Sequence, residues 1–217
     1  MIPPISTDQR KEVMAMAYII AFEGMSGAGK TTTARILIRF LKLKHFRMAW
    51  VNEKEYEPIR SWVIDWHKRP TDAKVFSRED IEFFARGRSA IHQEIYRQFS
   101  DWDYILLDRT VFTSMVYQSS DICSPKQILE INIKSRILLP RKVFFFTGDP
   151  EVCHRRIMER QQAHSGYNLP ASVESLETIK AIGERYRDIR GYMGEVTEID
   201  AETPKRDKVR LVIANLP

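Results

Sequence analysis

The sequence predicts an α/β fold: a five-stranded parallel sheet, helices on both faces, and a lid. Three observations carry this. Short apolar runs alternate with helical patterns along the chain. The first run ends in a glycine-rich loop that opens a helix, and a later run ends in an acidic residue followed by arginine. The chain has 217 residues, 43% hydrophobic and 29% charged, which suits one folded domain over residues 1–217.

The elements follow in order. Residues 1–12 read as an N-terminal arm. Met14–Phe22 follows Arg10 and Lys11, as a signal sequence would, but it runs straight into the glycine loop and reads better as a buried first strand. Strands are expected at Tyr18–Phe22, Arg47–Val51, Tyr104–Leu107, Lys142–Phe146 and Val196–Ile199. A helix-forming run covers Thr33–Leu43. Ser77 caps a helix reaching about Phe99. Ser124-Pro125-Lys126-Gln127 carries a capping serine, proline at the first helical position and glutamine at the third. Asp149-Pro150 and Thr203-Pro204 start two more helices. The polar stretch Gln161–Ala171, with Gly166 and Pro170, reads as the lid loop.

Gly24-Met25-Ser26-Gly27-Ala28-Gly29-Lys30-Thr31 fits G-x-x-x-x-G-K-[ST]. Its glycines let backbone N–H groups turn inward onto phosphate, and the following helix adds its positive end. Thr32 extends the loop. Lys30 is placed to reach β- and γ-phosphates, and Thr31 to ligate Mg²⁺. With a strand before it and a helix after it, this is the phosphate loop of a P-loop NTPase fold, with ATP and Mg²⁺ as the expected cofactors. A guanine-reading Asn-Lys-x-Asp motif is absent from the sequence, which argues against an ordinary GTPase.

Asp108, at the tip of the third strand, is placed to hold Mg²⁺ or its water, and Arg109 to neutralise charge on a transferring phosphoryl group. The competing structural role for Asp108 is as cap of the helix from Val111.

The net charge of +5 permits an anionic partner without demanding one. Its basic residues are spread along the chain, so a small nucleotide or nucleoside is the expected partner, with neither nucleic acid nor membrane, and a homodimer stays open. Cys123 and Cys153 lack metal-ligand spacing and read as reduced thiols of a cytoplasmic protein.

These residues resemble the thymidylate kinase family. Phe22-Glu23-Gly24 with Gly27-Ala28-Gly29-Lys30-Thr31-Thr32 is similar to its phosphate loop. Asp108-Arg109, then Thr113-Ser114 and Tyr117-Gln118, is similar to its Asp-Arg motif and the positions after it. The resemblance implies that Phe84 stacks on a pyrimidine, that Arg88 bonds a base carbonyl, and that Arg156 and Arg160 lead into the lid. Arg86 competes with Arg88 for its role. The sequence departs from the family at Ser26, where a carboxylate is usual, and after the second strand, where an Arg-Glu-Pro-Gly-Gly stretch is missing. There, Glu57-Pro58-Ile59-Arg60-Ser61-Trp62 resembles instead the Glu-Pro-x-x-x-Trp element of deoxynucleoside kinases. In those enzymes the glutamate is a general base for a 5′-hydroxyl, so Glu53 and Glu57 become candidates.

The expected activity is phosphoryl transfer from ATP to a nucleoside monophosphate, such as a pyrimidine deoxynucleotide. A deoxynucleoside kinase is the first alternative. A nucleotide-binding switch with little turnover is the second.

Overall fold

The computed structural model describes residues 17–68, 75–163 and 175–217. The expected N-terminal arm lies outside the described residues. Of the expected lid, only residues 161–163 are described, as the end of a helix.

Five parallel strands form one sheet in the order β2-β3-β1-β4-β5: β1 Tyr18–Gly24, β2 Met48–Val51, β3 Tyr104–Asp108, β4 Lys142–Thr147 and β5 Glu195–Asp200. All five expected strands are present, each end within two residues of its expected position. The central strands read as unbroken apolar runs because both of their faces are covered. Ile20, Phe22, Ile105, Leu106, Phe144 and Phe146 have no exposed surface. Phe22 meets Phe144 edge-on at 5.8 Å and Phe146 at 5.0 Å, geometries that suit aromatic quadrupoles.

The helices are α1 Lys30–Leu43, α2 Ile59–Lys68, α3 Arg78–Phe99, α4 Val111–Tyr117, α5 Pro125–Lys134, α6 Pro150–Ala163, α7 Leu176–Asp188 and α8 Lys205–Ala214. Two groups flank the sheet. α1 packs with α8, while α3, α5, α4, α7 and α6 form a continuous chain of neighbours. Ser77 and Ser124 close reciprocal capping boxes with Asp80 and Gln127. None of the described helices is long and apolar enough to cross a membrane.

The register sets the site. Phe22 pairs with Asp108 and Gly24 with Phe146, so the phosphate loop and the Asp-Arg turn leave adjacent strands at the same edge. That edge holds the carboxyl ends of the strands, where open parallel sheets bind ligands.

Candidate active site

The phosphate loop is shaped by close backbone packing. A Cβ on Gly24 would sit 2.1 Å from the Phe146 carbonyl oxygen, and one on Gly27 would sit 2.3 Å from that of Cys153. Both residues also adopt positive φ, at 125° and 79°. These two glycines therefore fix the loop between β4 and α6 as well as shape its inner surface.

Lys30 lies under the loop, its Nζ donating to the carbonyls of Gly24 and Met25 at 2.8 and 2.7 Å. Burial and the nearby Arg109 pull its ammonium down to about 7, against the opposing fields of Asp108 and Glu23. Thr31 and Thr32 are exposed at the start of α1. On the far side of the loop, Lys208 of α8 donates to the Ala28 carbonyl at 3.2 Å and to the Ala201 carbonyl at 2.6 Å. Arg156 of α6 shares that second carbonyl at 2.7 Å.

Arg109 follows the tip of β3 with φ 75°, a left-handed conformation that costs a non-glycine residue roughly 1–2 kcal/mol. Its Nη2 lies 3.3 Å from Ser26 Oγ. Its Nη1 lies 3.4 Å from both Thr113 Oγ1 and Tyr186 Oη. Its guanidinium sits 5.7 Å from the Tyr117 ring centroid, within cation–π range. Burial opposes its charge, but Tyr117, Tyr186, Glu23 and Asp108 hold it firmly protonated.

The structure decides against one of the two roles offered for Asp108, that of helix cap. Thr110 caps α4, accepting the Phe112 N–H at 3.2 Å. Asp108 is buried on the cavity wall, and its carboxylate accepts no hydrogen bond from the described residues.

One cavity of about 750 Å³ joins these groups. One end takes in Lys30, Thr31, Thr32, Asp108, Arg156 and Arg160. Its other end is walled by Trp62, Trp66, Phe76 and Phe84, and reaches Arg88, Ser114, Tyr117 and Gln118. Phe84 meets Trp62 edge-on at 4.6 Å, so it is a packed core residue and also part of the wall. The Gln118 side-chain oxygen is buried on that wall and has no hydrogen-bond partner among the described residues.

Arg88 and Arg86 separate cleanly. Arg86 is exposed near Glu82, whereas Arg88 is buried and donates to Glu53 at 2.7 Å, Ser114 at 2.9 Å and Asn132. Glu53 also approaches His92 Nε2 at 3.2 Å, off the line of a good hydrogen bond. Burial alone would raise the Glu53 carboxyl, but Arg88 and His92 outweigh it and hold the group at about 2.

Glu57 is placed differently from its expected role. It is exposed, lies outside the cavity lining, and accepts the Ser61 N–H at 3.2 Å in the first turn of α2. Its side chain thus caps the first turn of α2. Gly24, Met25 and Ala28 are also absent from the lining and act through their carbonyls.

Several site residues escaped the sequence reading. Glu23 has no exposed surface and gathers Thr110, Thr113 and Tyr186 around one carboxylate. The available signal was a charge inside an apolar strand, which burial makes expensive unless it is paired. Asn132, His92 and Lys208 carried no comparable signal, since each falls in an ordinary amphipathic helix.

Comparison with known proteins agrees with this geometry. A family model described as thymidylate kinase matches residues 22–212. The thymidylate kinase of Lactobacillus helveticus is 28% identical over 209 residues, covering 92% of this chain and 95% of that protein. That of Geobacillus thermodenitrificans is 26% identical over 206 residues, covering 92% and 89%. That of Leptospira borgpetersenii serovar Hardjo-bovis is 23% identical over 160 residues, covering 73% and 77%. With the family match spanning most of the chain, and the phosphate loop and Asp-Arg turn opening on one cavity, the chain belongs to the thymidylate kinase family.

Proposed function

We propose that the protein transfers the γ-phosphoryl group of ATP to a nucleoside monophosphate, with thymidylate as the acceptor. The observation that carries this is the placement of Arg109. Its guanidinium touches Ser26 of the phosphate loop on one side and Thr113 of the opposite wall on the other. A cation shared by both ends of the cavity suits two anionic partners brought into line.

An oxygen of the acceptor phosphate attacks the γ-phosphorus. The bond to the bridging oxygen breaks, and ADP leaves with that electron pair. Lys30 and the loop amides hold the donor phosphates. Arg109, with Arg156 and Arg160, offsets the charge spread over the transferring group. The acceptor is already an anion, so no protein base is required. Glu53 is correspondingly unsuited to be one, since a carboxyl held at about 2 and paired with Arg88 has little affinity for a proton. Its work is to orient Arg88 beside the aromatic wall, where Phe84 and Arg88 would receive the base.

Thr31 and Asp108 offer a hydroxyl and a carboxylate on the cavity wall. No cluster of three or more metal-ligating side chains exists among the described residues. This fits Mg²⁺, which takes one or two protein oxygens and completes its shell with phosphate and water. When bound, the ion supplies neutralisation of phosphate charge.

The test is ADP release measured against a panel of nucleosides and their monophosphates. Thymidylate should support turnover, and thymidine should not. Arg109→Ala should lose at least ~100-fold in kcat. Glu53→Gln should raise the KM for thymidylate and largely keep kcat, while Glu57→Gln should change neither. An enzyme that phosphorylates thymidine and ignores thymidylate would make a nucleoside kinase of it.

A further inference from the structure

Arg109 is held in a left-handed backbone conformation and needs something to keep it there. Its own N–H donates to the Phe22 carbonyl at 3.1 Å. The residue after it is gripped by Glu23. Glu23 Oε1 accepts the Thr110 N–H at 2.6 Å and the Thr110 hydroxyl at 2.8 Å. Glu23 Oε2 accepts the Thr113 and Tyr186 hydroxyls at 2.8 and 2.9 Å. Those same two hydroxyl oxygens face Arg109 Nη1.

A hydroxyl has one proton to give. With the protons of Thr113 and Tyr186 directed at Glu23, their lone pairs are turned toward the guanidinium, which can only donate. Tyr186 keeps its proton, because burial and the Glu23 charge push its phenol well above the ordinary value. One carboxylate therefore sets both the backbone and the side chain of Arg109. Tyr186 belongs to α7, far along the chain, so this helix contributes to the aim as well.

We infer that Glu23 is a positioning residue for Arg109, acting through Thr110 on its backbone and through the Thr113 and Tyr186 hydroxyls on its guanidinium. This rests on the phosphoryl-transfer reading, in which Arg109 carries the transition-state charge.

The chemistry gives Glu23→Gln a definite direction. The Thr110 N–H needs an acceptor, so the amide oxygen takes the place of Oε1 and the amide N–H₂ that of Oε2. The two hydroxyls must then accept from the amide; their oxygens lie 3.0 Å apart, so one can give its proton to the other, and the remaining proton is left facing Arg109. A polarity matched to the guanidinium becomes opposed to it, in a side chain of nearly the same size.

The experiment is a double-mutant cycle on kcat and on the KM for thymidylate, with thermal unfolding of every variant. Glu23→Gln should lower kcat by roughly 10–100-fold, the scale of a misplaced catalytic group. In an Arg109→Ala background the same change should cost less than about 3-fold, because nothing is left to aim. Tyr186→Phe should show the same pattern with a smaller loss, and it serves as the cycle if Glu23→Gln does not fold. If Arg109→Ala is crippled but Glu23→Gln, or Tyr186→Phe in its place, costs the same factor with and without Arg109, this inference falls and the phosphoryl-transfer reading stands. Wild-type kcat in Arg109→Ala would overturn both.

Discussion

At the scale of single residues, Lys30 shows how a site can be tuned for an anion. Its ammonium is buried, bonded to two carbonyls, and held at about 7 by burial and Arg109. A polyphosphate beside it reverses that balance and favours the charged form. ATP binding should therefore take up protons above pH 7, and affinity should fall as pH rises past that point. Below about pH 6 the lysine is already charged and the uptake should vanish. Calorimetric titration in two buffers of different ionisation heat measures this directly, and absence of uptake at pH 8 would contradict it. Lys30→Ala should stay folded, show no uptake, and lose at least ~100-fold in turnover. The placement of Lys30 and Thr31 at the start of a helix and of Asp108 at a strand end was legible because it depends on sequence-local spacing. Glu23 and Tyr186 were not, because their meaning lies in one hydrogen bond between residues 163 positions apart. Glu53 was noticed for the wrong reason: sequence offered a base, and the fold pairs it with Arg88 as an ion-pair partner.

At the scale of elements, strand and helix starts followed local rules closely. The boxes at Ser77 and Ser124 depend only on residues three apart, so they could be read directly. The start of α4 could be read two ways, and Thr110 rather than Asp108 turned out to be the cap. The role of α8 was invisible in sequence. It reaches back through Lys208 to the phosphate loop, tying the last helix to the first turn of the site. Lys208→Met should free that end of the loop. Arg156 still holds the Ala201 carbonyl, so the specific loss is the contact to Ala28. The expected result is a rise of roughly 10-fold in the KM for ATP and a stability loss of about 1–3 kcal/mol, the scale for a buried acceptor left unpaired. Steady-state kinetics with both substrates varied, together with thermal unfolding, checks this. An equal rise in the KM for thymidylate would mean that the effect is general loosening.

At the scale of the whole molecule, the parallel order β2-β3-β1-β4-β5 brings distant segments to one edge, and a single cavity runs along it. Alternating apolar and helical segments foretold the layers. They could not foretell the wall at the acceptor end, because Trp62 and Trp66 come from α2, Phe76 precedes α3, and Phe84 lies within α3. The rings nevertheless form one stack: Trp62 lies 4.9 Å from Trp66 at 17°, and Trp66 lies 4.1 Å from Phe76 at 28°. The other tryptophans, Trp50 and Trp102, do not line the cavity. The protein thus carries its own optical gauge at one end only. A base entering beside the indoles should quench their emission and alter the near-ultraviolet circular dichroism of the stacked pair, while a triphosphate at the opposite end should leave both signals nearly unchanged. Thymidylate and ATP can then be told apart by light before any turnover is measured, and Trp62→Phe should dim the response to the first without touching binding of the second.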